Sequence, residues 1–553
     1  MEKRSRRITR RQFVGSLTAV AGATLLAACS PAAPAPTSAP APTSALGAPK
    51  ATQPAGQPAP TTAPAAPAAS PTAAQPAVKK GGTFRGGRIQ DILNFYPHQL
   101  SQGNEPMFYQ IYDTLLRIGD GFKIEPRMAE SWEFTPDYLK MTIKLRKGVK
   151  FHDGREFVAN DVVETIKFYA DKANSANILP AAQMLKSPKA VDNYTVEINF
   201  DQPMATVYDA FDLLFIIDAN NIASLRNKPN GTGPFKLDSW QPNNKSTYKR
   251  FEDYWKQGMP YLDTYEVSVW PDPQAMVVSL ESGTVDMANP LPPIDAKRLK
   301  ADSKYKLSQD RFGIVFDLVM NTTYGPLKDK KVRQAISWAI NRQRFCDTYL
   351  QGLSEPWSLP WPSFSPAYDE KLNNYYAYNP DKAKQLLAEA GHADGFPLTL
   401  LTTKSRTGYQ ELAEYVQNDL GLVGIKVTLD VQDEGSWRPK FMDGDFQIAT
   451  HNFGRNNKTP TGMFEQAVVW RYDKNSAKFK SDQFTNLCKS ASATVDPAKA
   501  KTYWDQINQL ILDECFTLCI APQPRPAVMA SKVQGYTDNL DSYPMLEGVW
   551  LDQ

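Results

Sequence analysis

The sequence predicts an α/β fold divided into more than one lobe. Residues 81–553 have the composition of a folded protein, and about 470 residues exceed what one hydrophobic core organises, which favours two or three lobes. Segments that alternate apolar and polar residues are interspersed with segments of helical periodicity. After about Thr323 strands and helices alternate along the chain, which predicts an α/β lobe with a ligand crevice at its strand ends.

The predicted elements rest on periodicity and on cap residues. Alternation or short apolar runs predict strands at 141–145, 194–200, 398–401 and 425–429. Helical spacing predicts helices at 161–170, 332–349, 379–391, 409–420 and 497–512. The third of these helices carries Asn379 as its cap, Pro380 at its first position and Gly391 at its end.

Residues 1–28 are predicted to be an export signal. Arg10 and Arg11 precede an uncharged stretch of about 15 residues, shorter than the roughly 20 that span a bilayer as a helix. The paired arginines resemble a twin-arginine signal, and the Leu-Ala-Ala-Cys sequence ending at Cys29 resembles a bacterial lipoprotein site. We therefore expect lipid on Cys29 to anchor the protein at the outer face of the cytoplasmic membrane.

Residues 29–80 are predicted to be a disordered spacer behind the lipidated cysteine. Between residues 32 and 78 the chain is nearly all Ala, Pro, Thr, Ser and Gln, with charge only at Lys50. Such a composition cannot bury enough apolar surface to offset the entropy of ordering. An extended path through it reaches roughly 150 Å at most.

Charge and cysteine content narrow the function classes. The whole chain has a formal net charge of +3, but residues 1–28 hold six Lys or Arg against Glu2, so the remainder is near −2. Nucleic acid is not expected as a partner, because no clustered basic face is indicated. Beyond Cys29 the cysteines are Cys346, Cys488, Cys515 and Cys519. One disulfide among the last three and four buried thiols are both compatible with this pattern.

Five sequence blocks, in order, resemble the family 5 extracellular solute-binding proteins of ABC importers. The resemblance covers essentially residues 81–553. The blocks are Ala129-Glu130-Ser131-Trp132, the run from Leu145 to Gly154 with Ala159-Asn160-Asp161-Val162, Asn230-Gly231-Thr232-Gly233-Pro234-Phe235, the helix from Val332 to Arg342, and Asp381-Lys382-Ala383-Lys384-Gln385-Leu386-Leu387.

The resemblance implies a two-lobed, periplasmic-binding-protein-like fold with a hinge and an extra subdomain in the first lobe. Lobe I is then 81–120, 231–322 and 519–553, the inserted subdomain is 121–230, and lobe II is 323–518. It also implies a monomer that closes over a solute and delivers it to ABC permease subunits. The family includes binders of oligopeptides, dipeptides, nickel complexes, opines and oligosaccharides.

The expected ligand site centres on residues 445–458. Peptide-binding relatives commonly place there an Asp that receives the peptide ammonium group, whereas this chain has Asn456, with Arg455 and Lys458 beside it. A buried ammonium without a counter-charge costs several kcal/mol, so a neutral or anionic solute such as an oligosaccharide is favoured. An oligopeptide or dipeptide held by a different carboxylate remains the alternative, and Arg455 could instead form an interlobe ion pair. The ligand-contact candidates are Trp437, Phe453, Arg455, Asn456, Asn457, Trp470, Trp357, Trp361 and Tyr109.

No enzyme, cofactor or metal site is predicted. The four histidines, His98, His152, His392 and His451, stand singly, without metal-ligand spacing or a catalytic motif. His152 is expected to be structural. A sensor or extracytoplasmic chaperone with the same fold is not distinguished from an importer component by the sequence.

Overall fold

Three sheets of four or more strands organise the part of the chain that the structure describes. A computed structural model describes residues 78–101, 103–308, 313–456 and 458–552. Residues 1–77 lie outside these ranges, and with them Arg10, Arg11 and Cys29 of the predicted signal and lipid site. Asn457 lies outside them as well. All the described residues belong to one compact unit. Its α/β content and separate sheets agree with the predicted two-lobed fold class.

The first sheet contains segments from both ends of the folded chain. Thr83–Arg88 pairs in parallel with Thr264–Val269 on one side and with Met287–Ala288 on the other. Val528–Ala530 joins antiparallel to Met287–Ala288, so the C-terminal segment returns to the same sheet. In spatial order its seven strands are Tyr305–Leu307, Val528–Ala530, Met287–Ala288, Thr83–Arg88, Thr264–Val269, Lys245–Arg250 and Phe235–Gln241.

The second sheet has its own core within residues 115–216. Two of its strands confirm the predictions at 141–145 and 194–200, and Lys140–Leu145 alternates buried with less buried residues as expected. A buried aliphatic and aromatic cluster fills one face, against the helix Ala159–Ala170. The four strands in spatial order are Ala129–Phe134, Lys140–Leu145, Thr195–Asn199 and Lys186–Asp192.

The third sheet is the centre of the second lobe. It confirms the strands predicted at 398–401 and 425–429, which pair in parallel as βαβ neighbours. The lobe range predicted as 323–518 omits the strand Ile314–Met320 and divides Thr517–Pro522, although both pair within this sheet. All seven residues of Ile314–Met320 are buried, as in a strand with a neighbour on each side, and the range implied by the family resemblance begins only after it. The five strands in spatial order are Lys426–Gln432, Pro397–Thr403, Ile448–Gly454, Ile314–Met320 and Thr517–Pro522.

The helices follow their caps. Asn379 accepts a hydrogen bond from the Lys382 backbone N–H at 2.9 Å and precedes Pro380, which confirms the predicted helix start. The prediction of a single helix at 332–349 is wrong. The structure has two helices there, because the helical backbone is interrupted at Ile340, which has extended backbone angles. In the described ranges the α-helices are Glu105–Ile111, Ala159–Ala170, Leu179–Met184, Val207–Leu213, Pro273–Glu281, Pro293–Lys300, Lys330–Ala339, Arg342–Thr348, Glu370–Asn373, Pro380–Glu389, Tyr409–Gly421, Glu434–Asp443, Pro460–Gln466, Asp482–Ser492 and Pro497–Glu514.

Short elements complete the described part of the chain. The 3₁₀ turns are Asp120–Phe122, Lys172–Asn174, Ile222–Ser224 and Gly325–Lys328. The two-stranded pairs are Leu116–Ile118 with Ile124–Pro126, Val533–Gln534 with Trp550–Leu551, and Thr537–Asp538 with Pro544–Met545. No helix among these residues is both long enough and apolar enough to span a bilayer.

The four cysteines of the folded part are buried thiols. Cys346, Cys488, Cys515 and Cys519 are all free, and all lie in the core of the second lobe. Burial raises the pKa of Cys346 and Cys515 to about 12, so these thiols stay protonated and unreactive at neutral pH. The sequence allowed either one disulfide or four buried thiols, and the structure has four buried thiols.

Candidate functional site

A cleft lies between the first and second lobes, where the chain passes from one sheet to the other. The chain leaves the first sheet after Leu307 and returns to it after Pro522. A cavity of about 600 Å³ opens beside these passages. The first lobe contributes Arg88, Tyr265, Asn289, Tyr543 and neighbouring residues to its wall, and the second contributes Phe316, Tyr349, Arg406, Glu434, Arg438 and Asn452. We call this space the larger cavity.

Arg406 and Glu434 form a fixed part of the second-lobe wall. Arg406 follows the carboxyl end of Pro397–Thr403, and its Nε and Nη2 donate to the two oxygens of Glu434 at 2.9 and 2.6 Å. The guanidinium also lies 4.7 Å from the ring centroid of Trp437. A bidentate ion pair that also stacks on an aromatic ring has little conformational freedom. This wall therefore presents a positioned charge pair to the cavity.

Amide groups form the adjoining wall. Asn452 donates through Nδ2 to Oε1 of Gln523 at 2.6 Å and accepts at Oδ1 from the Tyr409 hydroxyl at 2.9 Å. The Tyr409 hydroxyl in turn accepts from the Asn452 backbone N–H at 2.9 Å. These bonds orient both amides before any solute arrives.

A second cavity of about 310 Å³ adjoins the first and shares Leu100, Ser101, Asn452 and Tyr543 with it. Glu105 and Asp541 line it from the first lobe, and His451, Phe453 and Arg455 from the second. We call it the smaller cavity. Loss of hydration raises the pKa of Glu105 to about 7, although the positive charge of Arg455 opposes the change.

Behind the smaller cavity, Lys458 joins three parts of the chain. Its Nζ donates to Asp212 of the helix Val207–Leu213 and lies 3.0 Å from Oδ2 of Asp541. Thr459 adds hydrogen bonds from its backbone N–H and hydroxyl to Oδ1 of Asp209, each 3.1 Å long. The lobes are therefore tied by buried polar contacts in this structure.

The structure places two of the nine predicted ligand contacts on a cavity wall. Phe453 and Arg455 both line the smaller cavity, as the sequence placed them in one loop. Asn456, next to them, is fully buried and lines neither cavity. Asn457 lies outside the described residues.

The four predicted tryptophans lie in the core of the second lobe. Trp437 is 1% exposed and stacks on Phe441, with ring centroids 4.8 Å apart. Trp470 packs edge-on against Phe453, and Trp361 donates through Nε1 to Oδ1 of Asn508 at 2.7 Å. Trp357 donates to Glu355 at 3.1 Å. Tyr109 is likewise buried, in the first lobe, with the guanidinium of Arg117 over its ring at 5.5 Å.

The larger cavity holds cations that sequence reasoning missed. Arg88, Arg406, Arg438 and Arg525 all line it, against Glu434 as the carboxylate among its described wall residues. The sequence could have indicated one of them as a site residue. Arg406 comes just after a parallel strand, at the edge where α/β sheets bind ligands. The others are brought together by contacts between distant segments.

The remaining histidine expectations concern structure. His152 lies 3.0 Å from the carbonyl oxygen of Gly233 through Nε2, and burial lowers its pKa to about 4. This agrees with a structural role. Nδ1 of His451 lies 3.0 Å from Oδ1 of Asp317, and the His451 ring stacks with the rings of Trp437 and Phe441. Within the described ranges, no three His, Cys, Asp or Glu side chains are grouped to hold a metal ion.

Comparison with known proteins places this cleft in context. The sequence pattern of the bacterial extracellular solute-binding proteins, family 5 Middle, matches residues 123–475. Heme-binding protein A of Haemophilus influenzae is 26% identical over 497 residues, which cover 83% of this chain and 90% of the relative. Glutathione-binding protein GsiB of Escherichia coli K12 is 27% identical over 460 residues, covering 80% and 87%.

Solved structures share the fold. The binding protein AgaA of A. tumefaciens R10, solved with agropinic acid, superposes with a TM-score of 0.74 at 26% identity, over 85% of this chain and 99% of that one. DppA of Helicobacter pylori, solved with the peptide STSA, gives a TM-score of 0.74 at 25% identity, over 86% and 99%.

Proposed function

We propose, from the premise that the chain belongs to the family 5 bacterial extracellular solute-binding proteins, that it is the solute-binding component of an ABC importer. It captures a solute in the cleft between its lobes and delivers it to membrane permease subunits. The cleft supports this role because both lobes supply its walls. A solute that touches both lobes favours the closed state by its differential affinity.

The same proposal includes how the protein is held. A twin-arginine signal exports it, lipid on Cys29 anchors it at the outer face of the cytoplasmic membrane, and the spacer through residue 80 lets a monomeric binding unit range above the bilayer. The sequence of residues 10–29 supports the anchoring.

The solute is anionic, and one observation carries this part of the proposal. Four arginines and one glutamate line the larger cavity among the described residues. Arginine is suited to carboxylate groups because its planar donors can bond both oxygens. A solute with one or more carboxylates therefore complements the wall.

An anionic solute fits the cleft better than the neutral oligosaccharide also considered from the sequence. Sugars are held by flat aromatic faces as well as by hydrogen bonds, and Trp437, Trp470, Trp357 and Trp361 cannot serve because they are buried in the second-lobe core. Aromatic rings do line the larger cavity, but its excess of arginine over glutamate favours a charged solute. Heme, glutathione and agropinic acid, named for the relatives above, all carry carboxylates. This chemistry supports the preference without identifying the solute.

An oligopeptide or dipeptide is the second candidate. Glu105 and Asp541 line the smaller cavity, and either carboxylate could receive a peptide ammonium in place of the residue that Asn456 replaces. Such a ligand would still present its terminal carboxylate to the larger cavity.

Thermal shift measurements on a defined panel test the proposal. Agropinic acid represents anionic solutes, glutathione an anionic solute that also carries a free ammonium, maltotriose a neutral sugar, and tri-alanine a peptide. We expect an anionic member to raise the Tm and maltotriose to leave it unchanged. A rise with maltotriose alone would contradict the anionic preference.

A variant then links the effect to the cavity wall. Arg438 lines the larger cavity and is exposed, so Arg438→Ala should leave the fold intact. Loss of one charge-assisted hydrogen bond should weaken binding of the stabilising anion about tenfold. Arg298→Ala is the matched control, because Arg298 is also exposed but lies on another surface, paired with Glu281. Equal affinity in the two variants would remove Arg438 from the site.

A further inference from the structure

A lysine ammonium is buried where the two lobes meet. The Lys458 side chain is only 4% exposed, and its Nζ contacts Asp212, whose side chain is 3% exposed, and Asp541 at 3.0 Å. Burial lowers the pKa of Lys458, but the two carboxylates more than offset this, so its pKa lies above the ordinary lysine value. The ammonium therefore stays charged and is held by two carboxylates.

The surroundings of this ammonium are acidic. Asp209 and Glu105 both interact electrostatically with Lys458, as Asp212 and Asp541 do. Arg455 acts on Glu105 from the same region. Four carboxylic side chains therefore lie close enough to Lys458 to interact with its charge.

One of these carboxylates has an oxygen that could accept a further hydrogen bond. Asp209 is 1% exposed, and its Oδ2 accepts no hydrogen bond from the described residues. Carboxylates in a water-poor site attract cations more strongly than in bulk water. Such a group has the chemistry of a site for an ammonium ion, and here the chain supplies that ion itself.

This carboxylate group borders the solute cleft. Asp541 and Glu105 line the smaller cavity, and Leu213, next to Asp212, lines it too. A solute ammonium approaching Asp541 would meet the Lys458 ammonium already bound there. Two like charges at one carboxylate repel each other strongly where little water is present to screen them.

We propose that Lys458 determines specificity by filling the ammonium site of the smaller cavity with a tethered cation, so that solutes with a free ammonium at this end are excluded. The inference rests on the proposed solute-binding function and deepens it. The solute portion that enters the smaller cavity is neutral or anionic, and the peptide alternative is disfavoured in the wild-type protein.

Chemical rescue tests whether the site accepts an ammonium ion. In the full-length Lys458→Ala protein, n-propylammonium chloride should raise the Tm by several degrees in a saturable manner, because it replaces the missing part of the side chain. Sodium chloride at equal ionic strength and n-propanol should not, and neither should n-propylammonium with the wild type. Lys440→Ala is the matched control, since Lys440 pairs with Asp430 at 3.3 Å on a partly exposed surface. No difference between the two variants would overturn the proposal.

A second variant covers poor folding of the first. Lys458→Met retains an apolar stem and lacks only the charge, so ammonium chloride should stabilise it more than sodium chloride does. Adding Asp212→Asn and Asp541→Asn together should abolish the response in either background, because both receiving carboxylates are lost. A response that survives both changes would place the ion elsewhere and contradict the assignment.

Specificity requires a readout that a purely structural lysine would not change. Tri-alanine and N-acetyl-tri-alanine differ in whether the amino terminus is charged. The ratio of their Tm effects should shift toward tri-alanine in Lys458→Met relative to wild type, and an unchanged ratio would overturn the specificity role. The rescue experiments involve no transported solute, so a failed solute panel would count against the proposed function without altering their result.

Discussion

Burial raises the pKa of two carboxylic acids near the cleft, Glu105 and Asp209. Asp209 illustrates the effect, since its carboxylate lies at the lobe junction and accepts from Thr459 through Oδ1. Burial raises its pKa to about 7, although the Thr459 hydrogen bonds and the charge of Lys458 oppose the rise. An acid with a raised pKa favours the folded state while protonated and disfavours it once ionised.

Asp209→Asn should therefore remove part of the pH dependence of stability. In the wild type, the contribution of Asp209 is fully present below its unfolded pKa of 3.8 and is lost as pH rises through about 7. An amide keeps the acceptor for Thr459 and cannot ionise, so the variant should gain about 1 kcal/mol or more relative to wild type between pH 5 and 8. Thermal unfolding of both proteins at these two pH values measures the difference. The same Tm difference at both pH values would contradict the assignment.

Single residues also show which cleft residues the sequence could predict and which it could not. Phe453 and Arg455 were predicted at the cleft and line the smaller cavity, whereas Trp437 and Trp470, from neighbouring segments, are core side chains. An aromatic residue has the same apolar signature in a core and in a cleft. Burial is decided by contacts such as the stack of Trp437 on Phe441.

At the scale of elements, local sequence signals predicted where a helix begins better than where a helix is interrupted. The Asn379-Pro380 pair defines a helix start because cap and ring act on the backbone beside them. The break after Ala339 depends partly on Asn341, which caps the next helix by accepting from the Arg344 N–H at 2.9 Å. It also depends on Arg342, whose Nε donates to the distant Cys519 carbonyl at 2.8 Å. That contact has no local signature.

Asn379→Ala should destabilise the second lobe by about 1 kcal/mol, because the first turn loses its side-chain acceptor. Asn379→Asp, which retains an acceptor oxygen, should cost less and is the matched control. Urea unfolding followed by tryptophan fluorescence measures both. Equal losses in the two variants would show that the hydrogen bond to the Lys382 backbone is not the cause.

At the scale of the molecule, the order of the sequence blocks predicted the fold class, while the cleft arises from contacts between distant segments. Asp212, Lys458 and Asp541 meet in space although helices and sheets from both lobes separate them along the chain. The arginines of the larger cavity converge in the same way. Charge complementarity at a site between lobes follows from topology, which a single sequence does not display.

Native mass spectrometry of the protein purified without added solute tests the central claim most directly, because a closed cleft can retain its solute. We predict a bound small molecule that carries carboxylate groups and no free ammonium, released more readily from Arg438→Ala than from Arg298→Ala. A retained neutral species with hexose spacing, or a series of peptides with free amino termini, would contradict the account.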